Sequence, residues 1–122
     1  MVLEVYHANF YEDIINLSRM LDKKKFYECL VQIDRTIEQV LLNPNKPAAL
    51  KYAPLLEYRK KKFFSSKKPL AKQRPNMRLL YRYIAPEKTI YFLAVGFRIV
   101  TKPRNPNDVY QRTKSRPLQR WA

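Results

Sequence analysis

The sequence predicts an α+β fold. A strand and two helices precede three strands, and both helices cover one face of an antiparallel or mixed β-sheet. Three observations predict it. The stretch from Met77 to Arg98, MRLLYRYIAPEKTIYFLAVGFR, holds two aromatic and β-branched runs on either side of Ala85-Pro86-Glu87-Lys88, which is the signature of a hairpin. Apolar residues recur twice at helical spacing between Phe10 and Leu41. The N-terminal Val2–His7 alternates as a short strand does.

In chain order, Asn9 with Glu12 three residues on resembles a capping box that starts the first helix. Phe10, Ile14, Leu17 and Leu21 form its apolar stripe. Asp22 caps a second helix with the stripe Phe26, Leu30, Ile33, Ile37 and Leu41. Asn43-Pro44 and Pro47 end it, since proline has no N–H and restricts the residue before it. Asn45–Leu56 reads as a linker. Tyr58–Ser66, YRKKKFFSS, reads as a strand whose alternation is too weak to assign faces. Residues 67–76, KKPLAKQRPN, are a basic loop.

In the hairpin, Met77, Leu79, Tyr81 and Tyr83 alternate with Arg78, Leu80, Arg82 and Ile84. On the return strand Tyr91, Leu93, Val95 and Phe97 alternate with Ile90, Phe92, Ala94, Gly96 and Arg98. Gly96 is the only glycine. Within a strand it marks either a bulge or a place of close approach, here room for a phosphate beside Arg98. A Pro-rich connector, residues 101–107, and a basic tail, residues 111–122, follow. The 122 residues, without internal repeats, read as a single domain, 1–122.

Charge divides this chain more sharply than hydropathy. Residues 1–56 carry seven Lys/Arg against seven Asp/Glu. Residues 57–122 carry 18 Lys/Arg against Glu57, Glu87 and Asp108, so the net +15 lies entirely in the half with the hairpin. A basic half on a neutral scaffold is the footprint of a polyanion site, or of an acidic protein partner. Nothing reads as a membrane span or a signal segment. Cys29 and His7 are the only residues of their kinds, which excludes an intramolecular disulfide and zinc sites built from several Cys and His. Cys29 reads as a small core residue, His7 as structural, and the expected setting is the reducing cytoplasm, with no metal and no cofactor.

At this point the chain resembles the RelE/ParE toxin superfamily of bacterial type II toxin–antitoxin systems. The residues that carry the resemblance are Met77-Arg78-Leu79-Leu80-Tyr81-Arg82, Leu93-Ala94-Val95-Gly96-Phe97-Arg98 and Asp108-Val109-Tyr110. They look like the family's strand-three Arg-x-x-Tyr, its strand-four Val-Gly-x-Arg and its C-terminal Val-Tyr. The resemblance implies a RelE-like fold of the microbial RNase type and a toxin that blocks translation by cleaving mRNA, often on the ribosome. It implies a cognate antitoxin as partner, expected to carry an acidic segment. It assigns catalysis to Arg78, Arg98 and Tyr110, and it directs attention to lysines ahead of strand three, here Lys68 and Lys72. With Lys67, Arg74 and Arg82 these make up the expected RNA- and phosphate-binding set. ParE-like relatives share the fold but poison gyrase, so fold alone does not decide the target.

The chemistry is consistent with this. Two-metal nucleases need clustered carboxylates, and the basic half has three in all. What remains among nucleases is a metal-free mechanism in which the RNA's own 2′-OH attacks the adjacent phosphate and leaves a 2′,3′-cyclic phosphate. Arg78 and Arg98 suit the developing charge, because guanidinium is a planar fork of donors that stays protonated. Tyr110, with its pKa lowered by neighbouring cations, or a lysine with a depressed pKa, would accept the 2′-OH proton. The plainer alternative makes these arginines solvated polar-face residues and Tyr110 a packing aromatic. A non-catalytic RNA-binding module that stacks bases on Tyr58, Phe63 and Phe64 would show the same charge.

Overall fold

Residues 2–50, 55, 57–114 and 116–118 are described in a computed structural model. The elements are β1 (Leu3–Tyr6), α1 (Phe10–Met20), α2 (Lys23–Leu42), β2 (Ala48–Ala49), β3 (Arg59–Phe63), β4 (Met77–Ile84), β5 (Thr89–Phe97) and α3 (Val109–Thr113). The strands form one mixed sheet in the order β1-β5-β4-β3-β2, with β1 parallel to β5 and the other neighbours antiparallel. The predicted α+β class and the predicted hairpin are both present. Two elements were not anticipated: β2 lies within the expected linker, and α3 spans Val109-Tyr110 and the start of the expected tail. Pro54 and Leu56 of that linker, and residues 119–122 of that tail, lie outside the described residues.

Both helices form for local reasons. The Asp22 carboxylate accepts from the Lys25 N–H at 2.8 Å, as an N-cap should, and α2 stops at Leu42 just before Asn43-Pro44. The capping box at Asn9 does not form. Its side-chain amide donates to Glu12 Oε2 at 3.1 Å, and no side chain caps the first turn. The stripes face the sheet as expected. Phe10, Leu17, Ile33 and Val40 pack with Met77, Leu79, Tyr81, Ile90, Phe92 and Val95. Cys29 is sealed in this core, and burial pushes its thiol up to about 11, so it is a packing residue.

The alternation read from the sequence holds on β4 and breaks on β5. Leu80 lies opposite Ala94, but Tyr81 lies opposite Phe92, so Leu93 is an extra residue: a β-bulge. Past the bulge the faces exchange. Ile90, Phe92 and Val95 all pack toward the helices, while Leu93 and Ala94 both pack on the other side. The bulge therefore lies three residues before Gly96. A glycine is not needed for it, because Leu93 itself bends the strand. The opposite face is not bare either. Leu80, Leu93 and Ala94 form a second core with Tyr58 and Val109, against which Leu50, Leu55, Tyr110 and Leu118 pack.

The edge of β5 shows how the C-terminal segment is fixed. β1 is four residues long and β5 nine, so the far half of β5 has no strand beside it on that side. The last ladder bond there is His7 N–H to Phe92 O, at 2.9 Å. Beyond it, Asp13 Oδ2 accepts from Val95 N–H at 3.1 Å, and Arg116 Nη1 donates to Leu93 O at 2.9 Å. Asp13 and Arg116 also bond each other twice, at 2.7 and 2.8 Å, and Arg112 adds a contact to Asp13 at 3.1 Å. A buried ion pair thus takes the place of the missing strand and satisfies backbone groups that would otherwise be orphaned. His7, as expected, is structural. Its Nδ1 accepts from Asn9 N–H and its Nε2 donates to Pro117 O.

Candidate functional site

The hairpin brings its two arginines to one end of the sheet. Arg78 lies opposite Gly96, and the Arg98 N–H continues the pairing by donating to Asn76 O at 2.8 Å. The third component packs over Gly96. A Cβ at this position would lie 3.4 Å from Val109 Cβ, so α3 sits nearly on the β5 backbone. The close approach anticipated at Gly96 is real, but the partner is Val109 rather than a phosphate. Tyr110, the next residue, is thereby carried to the arginines despite the long connector. The Arg98 guanidinium carbon stands 4.9 Å from the Tyr110 ring centroid, and the Arg78 cation is near enough to the Tyr110 hydroxyl for each charge to act on the other group.

Each group is held by its surroundings. Arg78 Nη1 donates to Pro75 O at 2.9 Å and to Met77 O at 3.0 Å, which leaves other donors of its fork unused by these bonds. Arg98 Nη1 donates to Asp108 Oδ1 at 2.9 Å. Burial lowers the Arg78 pKa, the Tyr110 hydroxyl works against that and Arg98 adds to it; an arginine starts so high that it remains a cation. Tyr110 is shifted upward, not downward as the sequence reading expected. Burial outweighs the favourable charges of Arg78 and Arg98, so the phenol is held in its protonated form. At neutral pH it therefore carries its proton.

The other expected residues divide. Arg82 sits four residues further along β4, roughly 13 Å away at the usual rise of a strand. It pairs with Glu57 at 2.8 Å, and buried Leu80 lies between it and Arg78 on the same face of β4. It is therefore not part of the same group. Lys67, Lys68, Lys72 and Arg74 are exposed on the loop between β3 and β4. The loop is closed at its base by Ser65 and Asn76, and Lys67 is held through its backbone by Glu28 of α2.

Three residues had not been singled out. Lys62 lies directly opposite Arg78 in the β3–β4 register, and Lys60 opposite Leu80, so both are on the face that carries Arg78. The run RKKKF alternates only once its register is known: Arg59, Lys61 and Phe63 belong to the helix face. Asp108 had been named only as one of few carboxylates and as the residue before Val109-Tyr110, with no role of its own. It is 1% exposed and stands behind Arg98. Among the described residues no group of three His, Cys, Asp or Glu is placed to hold a metal ion.

The architecture defines the class: two N-terminal helices on a five-stranded mixed sheet is a RelE-like fold. The chain superposes on the isolated E. coli RelE toxin with a TM-score of 0.52 and 15% identity, over 84% of this chain and 90% of that one. It also matches a chain of the intact E. coli RelBE toxin–antitoxin complex, with a TM-score of 0.50 and 16% identity, over 82% of this chain and 100% of that one. No protein-family model and no curated protein sequence matches the chain.

Proposed function

We propose that this protein is a RelE-like toxin that acts as a metal-independent endoribonuclease on mRNA, on the ribosome or free, in the cytoplasm. The observation that carries the reading is the convergence of Arg78, Arg98 and Tyr110 from β4, β5 and α3 onto one partly exposed spot. Two fixed guanidinium groups would bind the non-bridging oxygens of the scissile phosphate and stabilise the charge that grows as the 2′-OH attacks. Tyr110, held protonated, would donate to the phosphate or to the departing 5′ oxygen. Lys62, across the sheet from Arg78, is the first place to look for the acceptor of the 2′-OH proton: its neutral amine would take that proton and, as the resulting cation, add positive charge beside the phosphate.

The basic half would also receive an antitoxin with an acidic segment, associating quickly and less tightly at high salt. One matched structure is that of a toxin–antitoxin complex, which supports a partner of this kind.

The test is primer extension on message after induced expression, together with cleavage of a synthetic RNA by the purified protein. Wild type should cleave and leave 2′,3′-cyclic phosphate ends, with activity retained in EDTA. Lys62→Ala should weaken cleavage more than Lys72→Ala does. Intact RNA with gyrase-dependent DNA breaks would establish a gyrase poison instead, and binding without cleavage a non-catalytic module. Among the described residues no helix is long and apolar enough to cross a membrane.

A further inference from the structure

Asp108 receives three N–H donors from three different parts of the site. Its Oδ1 accepts from Arg98 Nη1 at 2.9 Å and from the Ile99 backbone N–H at 2.7 Å. Its Oδ2 accepts from the Tyr110 backbone N–H at 3.2 Å, which caps α3. One carboxylate therefore ties together the guanidinium, the chain leaving β5 and the helix that presents the tyrosine. It does this from a buried position, while Arg98 keeps 35% of its side chain exposed. A carboxylate facing an incoming phosphate would repel it. Sealed behind Arg98, it instead fixes one edge of the fork and leaves the remaining donors pointed outward.

We infer that Asp108 is a positioning residue that locks Arg98 and Tyr110 into a single unit with a set separation. The inference rests on the proposed function for its consequence in catalysis, but not for its geometry. Only an acceptor-only group meets the requirement. An ionised carboxylate offers about four lone-pair sites and no hydrogen, whereas an asparagine amide would turn an NH2 toward at least one of the three donors. Asp108→Asn keeps shape and volume and removes this match. Small misplacements of catalytic groups are costly, with a displacement of about 1 Å worth on the order of 10²-fold in rate.

The experiment is a double-mutant cycle of Asp108→Asn and Arg98→Ala, run with ¹⁵N spectra of the arginine side chains. In wild type the Arg98 Nη protons should be resolved, because rotation about Nε–Cζ is restrained; in Asp108→Asn they should merge. Cleavage by Asp108→Asn should fall about 30-fold or more, within the range above, while in the Arg98→Ala background the same change should cost less than about threefold. An equal loss in both backgrounds would mean a general structural effect and would overturn the inference, as would unchanged Arg98 spectra or unchanged cleavage in Asp108→Asn. If wild type cleaves no RNA, the function reading fails separately. The cycle is then read as affinity for a 2′-O-methyl oligoribonucleotide, where coupling supports the positioning role and additivity, like unchanged Arg98 spectra, overturns it.

Discussion

Two arginine–aspartate pairs in this molecule are chemically the same and physically different. Asp13 and Asp108 are both 1% exposed and both accept from an arginine and from a backbone N–H of β5 or the residues just after it. Arg116, however, is 4% exposed, bonded to Asp13 through both terminal nitrogens and to Leu93 O. Arg98 is 35% exposed and bonded to Asp108 through one. The first pair is closed and serves the fold. The second leaves most of a guanidinium fork available to an anion. An arginine's role is thus set by how many of its donors the protein itself occupies, and sequence position alone does not reveal that count.

The largest effect expected from breaking this comparison is on stability. Asp13→Ala leaves Arg116 buried without a counter-charge and Val95 N–H without an acceptor. A loss of about 3–5 kcal/mol is expected in urea denaturation, as for other buried pairs deprived of one partner. Arg98→Ala should do the converse. Its cleavage rate should fall on the order of 10²–10³-fold, the usual cost of one preorganised charge contact, with a smaller loss of stability than Asp13→Ala, because Asp108 keeps the Ile99 and Tyr110 backbone N–H donors. If Arg98→Ala instead unfolds the protein while Asp13→Ala leaves stability intact, the assignment of the two pairs is reversed.

Tyr110→Phe should cost roughly 10²-fold in single-turnover cleavage, since a donor to the transition state is lost while the ring and its contact with Arg98 remain. The pH dependence gives the sharper test. Burial raises the Tyr110 pKa in the folded state, so the protonated form is the one the fold favours. Stabilisation from it is complete below the unfolded value near ~10 and is lost as pH rises through the higher folded value. Tyr58, and Tyr81 with its hydroxyl pushed up to about 12, behave the same way, so stability from these groups should be flat through neutral pH and decline in alkali. The ratio of wild-type to Tyr110→Phe rate should accordingly stay constant from about pH 6 to 9. A ratio that climbs steadily over that range would mark Tyr110 as a base.

The smallest effect is at Gly96. A methyl there meets Val109 Cβ at 3.4 Å, an ordinary van der Waals contact, so Gly96→Ala should change stability by less than about 1 kcal/mol. Gly96→Val adds two more methyls against α3 and should cost about 1–3 kcal/mol, with a larger proportional loss of cleavage because Tyr110 moves with the helix. Equal activity and melting temperature across the three would show that α3 is not seated through this contact.

Much of this was written locally. Helix stripes, the Asp22 cap, the hairpin and the concentration of charge after residue 56 depend on periodicity and composition, and the sequence displays both. Arg78, Arg98 and Tyr110 were named by short motifs, and the structure gathers them. What the tertiary structure alone decided depends on register and on partners distant in the chain. The bulge at Leu93 exchanges the faces of β5, and one residue's shift in a period-two pattern is invisible until the neighbouring strand is known. Lys62 was placed opposite Arg78 for the same reason, since only the pairing of β3 with β4 says which lysine faces that arginine. The direction of the Tyr110 shift followed from burial, which depends on how α3 packs over Gly96 through Val109. The roles of Asp13 and Asp108 followed from bonds spanning 82 to 103 residues in one case and 2 to 10 in the other. Only the shorter set lay within reach of a local reading.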